Sequence, residues 1–224
     1  MKFNPTLFTV REESFDIASP EVFVMSISSE IKIIESHDGK CHIKILADSK
    51  KAIEKANLVE VSESNGKLTV RFYKKGRTFW GIGDDWLQSL SVELMLPRSA
   101  HVKIKSVSSD IEVNQTLGSL EISTVSGDVE VLQNPIGSCT VKTVSGDIST
   151  HTFSACQYSL KSISGDIRVR VAPNLEVDVD GNSISGDLNS EISLDKNNAA
   201  PSGDAKVVKI TTSTISGDFT LARN

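Results

Sequence analysis

Six aspartates recur along this chain at one place in a repeated motif: Asp110, Asp128, Asp147, Asp166, Asp187 and Asp218. Carboxylates in a regular array have three chemical uses. They can ligate Ca²⁺, which takes about six to eight oxygens. Two of them can serve as acid and base in glycoside hydrolysis. Or each can accept backbone N–H bonds in a turn. The known calcium-binding β-roll repeat is a Gly-rich nonapeptide, and hydrolytic carboxylate pairs are local rather than repeated. Stacked about 4.8 Å apart, such carboxylates repel by about 1 kcal/mol per neighbouring pair even in a water-like dielectric. Backbone donors are the simplest offset, so the ladder is expected to be structural, with no metal and no cofactor.

The other reactive residue types form no constellation. His37, His42, His101 and His151 have no metal-ligand spacing, and the adjacent Cys41-His42 pair would point to opposite faces of a strand. Cys41, Cys139 and Cys156 are an odd number without paired spacing, as expected of free thiols in a reducing compartment. Nucleophile elbows, phosphate loops and dinucleotide fingerprints are missing. No catalytic residue is assigned.

What positions the aspartates is the repeat itself. It reads Val125-Ser126-Gly127-Asp128-Val129, Val144-Ser145-Gly146-Asp147-Ile148, Ile163-Ser164-Gly165-Asp166-Ile167, Ile184-Ser185-Gly186-Asp187-Leu188 and Ile215-Ser216-Gly217-Asp218-Phe219. Variants stand at Val107-Ser108-Ser109-Asp110-Ile111 and Ile27-Ser28-Ser29-Glu30-Ile31. A short period of this kind marks a solenoid whose units bury their apolar faces only by stacking. Apolar residues flank each motif in alternation, as Leu120, Ile122, Val129 and Val131 do around Gly127, which is a strand signal. The alternation breaks between Ile122 and Val125, so the chain bends there. The glycine is expected to take a positive-φ corner, the alternative being an inward site where the opposite wall comes too close for a Cβ.

The fold expected is all-β: a parallel β-helix or β-roll-like solenoid of about seven rungs with an inserted N-terminal strand region. Residues 1–100 would hold the first rung and the inserted strands, and residues 101–224 the regular repeat. The short helix expected lies near Ser49–Asn57, and a hairpin turns at Asn65-Gly66.

At 224 residues, 38% hydrophobic and net charge −5, the chain is one ordinary globular unit without a basic nucleic-acid footprint. No run approaches 18 consecutive apolar residues, and Arg11, Glu12 and Glu13 interrupt the N-terminus, so a cytoplasmic location is expected, with association to the envelope open. The segment 76–87 stands apart: Phe79, Trp80, Ile82 and Trp86 lie on a Gly-rich backbone. It is expected to be a lid on the stack or a patch for a partner or for self-association. The polar segment 195–205 is expected to be an exposed loop.

The T/S-V/I-S-G-D-I/V repeat, Leu96-Pro97 just before it and the polar insertion before the last copy together resemble the putative adhesin family over nearly the whole chain. The resemblance implies a parallel β-helix-like stack and a non-enzymatic module that presents it to a protein or cell-envelope partner. A self-assembling β-helical scaffold and a carbohydrate-active enzyme are the alternatives.

Overall fold

The computed structural model describes residues 7–72, 89–192 and 207–224. Alternating strand segments fall into two sheets. The first runs, edge to edge, β1 (Phe8–Phe15), β4 (Cys41–Ala47), β7 (Leu90–Leu96), β3 (Glu30–Glu35), β9 (Ile111–Asn114), β11 (Val129–Val131), β13 (Ile148–Thr152), β15 (Ile167–Val171), β19 (Phe219–Arg223), β17 (Leu188–Ser190). The second runs β16 (Glu176–Ser183), β18 (Val207–Thr214), β14 (Gln157–Lys161), β12 (Ser138–Lys142), β10 (Ser119–Ser123), β8 (His101–Lys105), β2 (Glu21–Met25), β6 (Lys67–Arg71), β5 (Glu60–Ser64). Pairing is parallel throughout, except that β1–β4, β4–β7 and β5–β6 are antiparallel. The architecture is therefore all-β and solenoid-like, built as two mixed sheets.

Register follows from the repeat. Leu120 lies beside Val102 and Cys139, and Val129 beside Ile111 and Ile148. Leu120, Ile122, Val129, Val141, Ile148, Leu160 and Ile167 are all buried, in one apolar core shared by both sheets. A one-residue slip would turn each of these side chains to solvent, which is why the period holds so strictly. The pairs β2–β8 and β3–β9 carry both sheets across residue 100 without a break.

Chain order and stacking order differ at both ends. After β15 the chain steps past one place to lay down β16 and β17. It then returns, and β18 and β19 fill the place left between. At the other end β6 and β7 fill the place between the β2–β3 layer and the antiparallel strands β4 and β5. This explains the weakest copy of the repeat. Gly181, which stands where a large apolar residue belongs, lies in the outermost layer, on an exposed strand edge rather than in the core.

The short helix α1 (Lys50–Lys55) begins where Ser49 Oγ accepts the N–H of Ala52 at 3.2 Å, and a 3₁₀ turn continues it over Ala56–Leu58. Ala52, Ala56 and Val59 are buried in the common core. The β5–β6 turn has Asn65 and Gly66 at φ 53° and 78°, the left-handed pair that a two-residue hairpin requires. The aromatic segment with Phe79, Trp80, Ile82 and Trp86 and the polar segment 195–205 lie outside the described residues.

Candidate interaction surface

The Ser-Gly-Asp motif forms the corner that joins the second sheet to the first, and its copies stack in one column. Three bonds repeat from layer to layer. The serine N–H donates to the carbonyl of the motif's first residue one layer away, as in Ser145 to Val125 at 2.9 Å and Ser164 to Val144 at 2.8 Å. The residue after the aspartate donates in the other direction, as in Ile148 to Asp166 O at 2.9 Å. And each carboxylate accepts the N–H of the next aspartate: Asp110 from Asp128, Asp128 from Asp147, Asp147 from Asp166, Asp166 from Asp218 and Asp218 from Asp187, all at 2.9–3.1 Å. Five of the six carboxylates of the ladder are thus bonded to backbone N–H groups. Arg168 offsets part of the repulsion, with nitrogens 2.9 Å from Asp166 and 3.6 Å from Asp147.

The glycine serves a purpose other than the one expected. Of the motif glycines only Gly127 takes a positive φ, 111°. At Gly146, Gly165, Gly217 and Gly186 an added Cβ would meet the carbonyl oxygen of the adjacent layer's glycine at 2.1–2.3 Å. No side chain fits there, because consecutive layers approach backbone to backbone, and the close wall is the neighbouring layer rather than the opposite sheet. A hydroxyl from Thr143, Ser162, Ser183 or Thr214 lies 3.0–3.2 Å from the same point. In the two layers nearest the N-terminus serine replaces glycine, and Ser26, Ser29, Ser106 and Ser109 join their hydroxyls in a buried cluster.

The motif's first residue is the functional feature that the sequence reading left unassigned. Strand alternation puts Ile122 and Thr124 inside, and so turns Val125 outward. The same happens in each layer: Val125 is 48% exposed, Val144 40%, Ile163 45%, Ile215 44% and Ile184 75%. These five stack directly on one another in that order, as the serine-to-carbonyl bonds require. At about 4.8 Å per layer they make an apolar ridge about 19 Å long. Exposed Lys142 and Lys161, with Ser123 and Ser213 in the neighbouring layers, border it on one side and the aspartate row on the other. The signal was present in the broken alternation: Val125 stands three residues after Ile122, out of phase with the core.

Among the described residues no group of three His, Cys, Asp or Glu could hold a metal ion. The three cysteines are buried and free. Burial pushes the Cys41 and Cys156 thiols up to about 11, and Cys139 further still, so they are poor nucleophiles. A contact that sequence reasoning missed joins Ser14 Oγ to His42 Nδ1 at 2.7 Å and His42 Nε2 to Asp38 Oδ1 at 2.8 Å. Hydrogen bonds from His42, from the Lys40 N–H and from Ser36 hold the Asp38 carboxyl well below its ordinary value. These groups sit on the exposed face of β1 and β4, away from the grooves that include Phe23 and Ser62. Such a contact fixes the turn at Asp38. A groove of about 410 Å³ lies on the outer face of the second sheet and includes Phe23, His101, Lys103 and Glu121. Lys103 there is paired to both oxygens of Glu121 at 2.7 Å.

Comparison with known proteins agrees with this geometry. A family model described as Toastrack DUF4097 matches residues 21–169 and 116–222. A crystal structure of a putative cell adhesion protein from Clostridium sporogenes is similar over 96% of this chain and 99% of its own, with 9% identity and a TM-score of 0.54, a likeness of fold. A putative adhesin from Bacteroides fragilis covers 99% and 98% at 13% identity with a TM-score of 0.47. A putative lipid binding protein from Parabacteroides distasonis covers 93% and 96% at 12% identity with a TM-score of 0.44. No curated protein matches.

Proposed function

The chain belongs to the Toastrack DUF4097 family, and from that premise we propose that it is a non-enzymatic interaction module that presents the corner ridge of a rigid β-solenoid to a protein or cell-envelope partner. The finer fold reading is a parallel β-helix-like stack of about seven motif-bearing rungs, with the first rung and the inserted strands in residues 1–100. One observation carries the functional reading. Inside the stack every other repeated apolar position is buried, whereas Val125, Val144, Ile163 and Ile215 are 40–48% exposed. A soluble surface gains nothing by repeating large β-branched residues in solvent, and such patches mark contact sites. The residues flanking the Trp80 and Trp86 segment, Phe72 and Ser89, belong to a layer of the same two sheets beside the β2–β3 layer. Phe79, Trp80, Ile82 and Trp86 are kept, from their residue types, as a lid or a second contact element. The names of the similar structures, adhesin and cell adhesion protein, accord with a binding role.

The test is a pull-down from the native organism with the full chain and its Ile163→Ser/Ile215→Ser variant. The variant is expected to keep its melting temperature within a few degrees, since both side chains are solvated, and to lose a partner that the wild type retains. Equal recovery of every partner by both proteins would reject the ridge. Turnover of a polysaccharide panel, abolished by one Asp→Asn change on the ladder, would reject the non-enzymatic reading.

A further inference from the structure

We infer that the free edge of β16, in the last layer of the stack, takes up an extended segment of a partner protein in which basic and β-branched residues alternate. Every inner layer is bonded on both sides; among the described residues the last layer, β16 with β17, is bonded only to β18 and β19. At its corner the Asp187 carboxylate, the Ile184 carbonyl and the Leu188 N–H correspond to groups that each inner layer uses to hold the next one. They face the open side, with no layer beyond them among the described residues. An unpaired edge of this kind is a template for strand addition.

The chemistry of the edge selects its occupant. Glu176, Asp178 and Asp180 alternate along the outer face of β16, all exposed and without an ion pair to any described residue. The nearest cation in register is Lys209, one against three carboxylates. On the inner face Val177 and Val179 are only half-buried, with no further described strand packed on the core from that end. An added strand sets its own side chains directly across from these two rows. It therefore needs Lys or Arg opposite the carboxylates and apolar residues opposite Val177 and Val179. A second copy of this chain does not satisfy the edge. Pairing β16 with its own equivalent would bring Glu176, Asp178 and Asp180 against the same three carboxylates. At the far end of that sheet β5 offers Glu60, Ser62 and Ser64 on one face and Val61 and Glu63 on the other, with no cation to meet the carboxylates. The inference stands on the end of the stack and does not depend on the ridge.

The experiment measures fluorescence anisotropy of a labelled Thr-Lys-Val-Arg-Val-Lys-Thr peptide against the full chain. The wild type is expected to bind it, the Asp178→Lys/Asp180→Lys variant to bind about tenfold or more weakly and to prefer a Glu-containing analogue. A peptide N-methylated at alternate residues should fail to bind, since strand addition needs its backbone donors. The Ile163→Ser/Ile215→Ser variant should bind as the wild type does, which separates this site from the ridge. Equal binding of the N-methylated peptide, or no loss in the charge-reversed variant, would overturn strand addition. So would a dimer of the chain alone that Asp178→Lys/Asp180→Lys abolishes, or peptide binding seen only after deletion of residues 193–206, because each assigns the edge another occupant.

Discussion

The two ends of the stack are finished in different ways. At one end the chain reverses direction: β4 and β5 run antiparallel to β7 and β6, β1 adds a further antiparallel strand, and α1 lies against β4. Every inward side chain of β4 and β7 is at most 1% exposed. At the other end the described strands finish in a parallel layer, β16 with β17. Leu188 is 51% exposed and Ile184 75%, and the strand that should bury apolar residues carries Gly181. The repeat is the same kind of unit at both ends, so the difference lies in the elements packed beyond it. A solenoid layer has no intrinsic inside on its outer face; it acquires one only from the next element. The capped end is built for stability, and the open end leaves its bonding groups available.

The largest contrast is expected from leucine truncation. Leu94→Ala, in the capped end, removes a fully buried side chain and should cost about 2–5 kcal/mol. For a chain of this size each kcal/mol lowers the melting temperature by about 2–4 °C. Leu188→Ala, in the open end, should cost less than about 1 kcal/mol. Thermal unfolding of the two variants measures both. Similar losses would mean that the open end is covered, and the distinction between the ends would fail.

A second contrast uses the glycine column. Gly146→Ala would drive a Cβ to 2.1 Å from the Gly127 carbonyl oxygen, in a layer held on both sides, and should cost about 3 kcal/mol. Gly186→Ala meets the Gly217 oxygen at the same distance, but its layer is free to tilt outward, and about 1 kcal/mol is expected. Urea unfolding midpoints distinguish the two. Equal costs would show the last layer to be as firmly held as the middle of the stack.

Most of this architecture was legible in the sequence. The period fixed which residues align, and Leu120, Val129 and their equivalents are buried as the alternation requires. The Ser49 cap and the Asn65-Gly66 turn announced their elements through local chemistry alone. Three things were not legible. The return of β18–β19 into a place left beside β15 depends on which layers pair, and nearly identical repeats cannot encode that. Serine and aspartate beside the glycine favour turns and so point to a corner residue; the contact that excludes a Cβ comes from a residue 19 positions away. The ridge is hidden because Val125 and Val144 resemble core residues in type, and only their phase relative to Ile122 and Val141 turns them outward. As for the site, the aspartate ladder and its bonding are written in the repeat, whereas the Ser14–His42–Asp38 contact joins residues from β1, a turn and β4 that share no motif.

The aspartate ladder gives a smaller contrast. Asp147→Ala leaves the Asp166 N–H without its acceptor and should cost about 1–2 kcal/mol, while Asp147→Asn keeps an acceptor oxygen and should cost less. Asp187→Ala removes a carboxylate that no further layer uses, and unfolding should be unchanged within about 0.5 kcal/mol. A loss at Asp187 equal to that at Asp147 would reveal a bound donor at the open end.

The smallest expected difference concerns acid. At the capped end Asp38 accepts bonds from His42, the Lys40 N–H and Ser36, and its carboxyl is held below the ordinary value of 3.8. Arg98 similarly lowers Glu35 from 4.5 through two bonds, at 2.8 and 3.1 Å. A carboxyl depressed in the folded state binds protons more readily when unfolded. Its contribution is therefore complete above the unfolded value and is lost as pH falls through the folded one. Asp38 is solvent-exposed, so the effect is modest and screened by salt. Asp38→Asn should lower the melting temperature slightly at pH 6, and the gap to the wild type should close as the pH is taken below about 3.8. Asp180→Asn, on the open edge, has no such donors among the described residues and should leave the melting temperature at pH 6 unchanged. A gap for Asp38→Asn that is undiminished at pH 2 would mean that the asparagine disturbs the turn itself, and that the carboxylate is not what holds it.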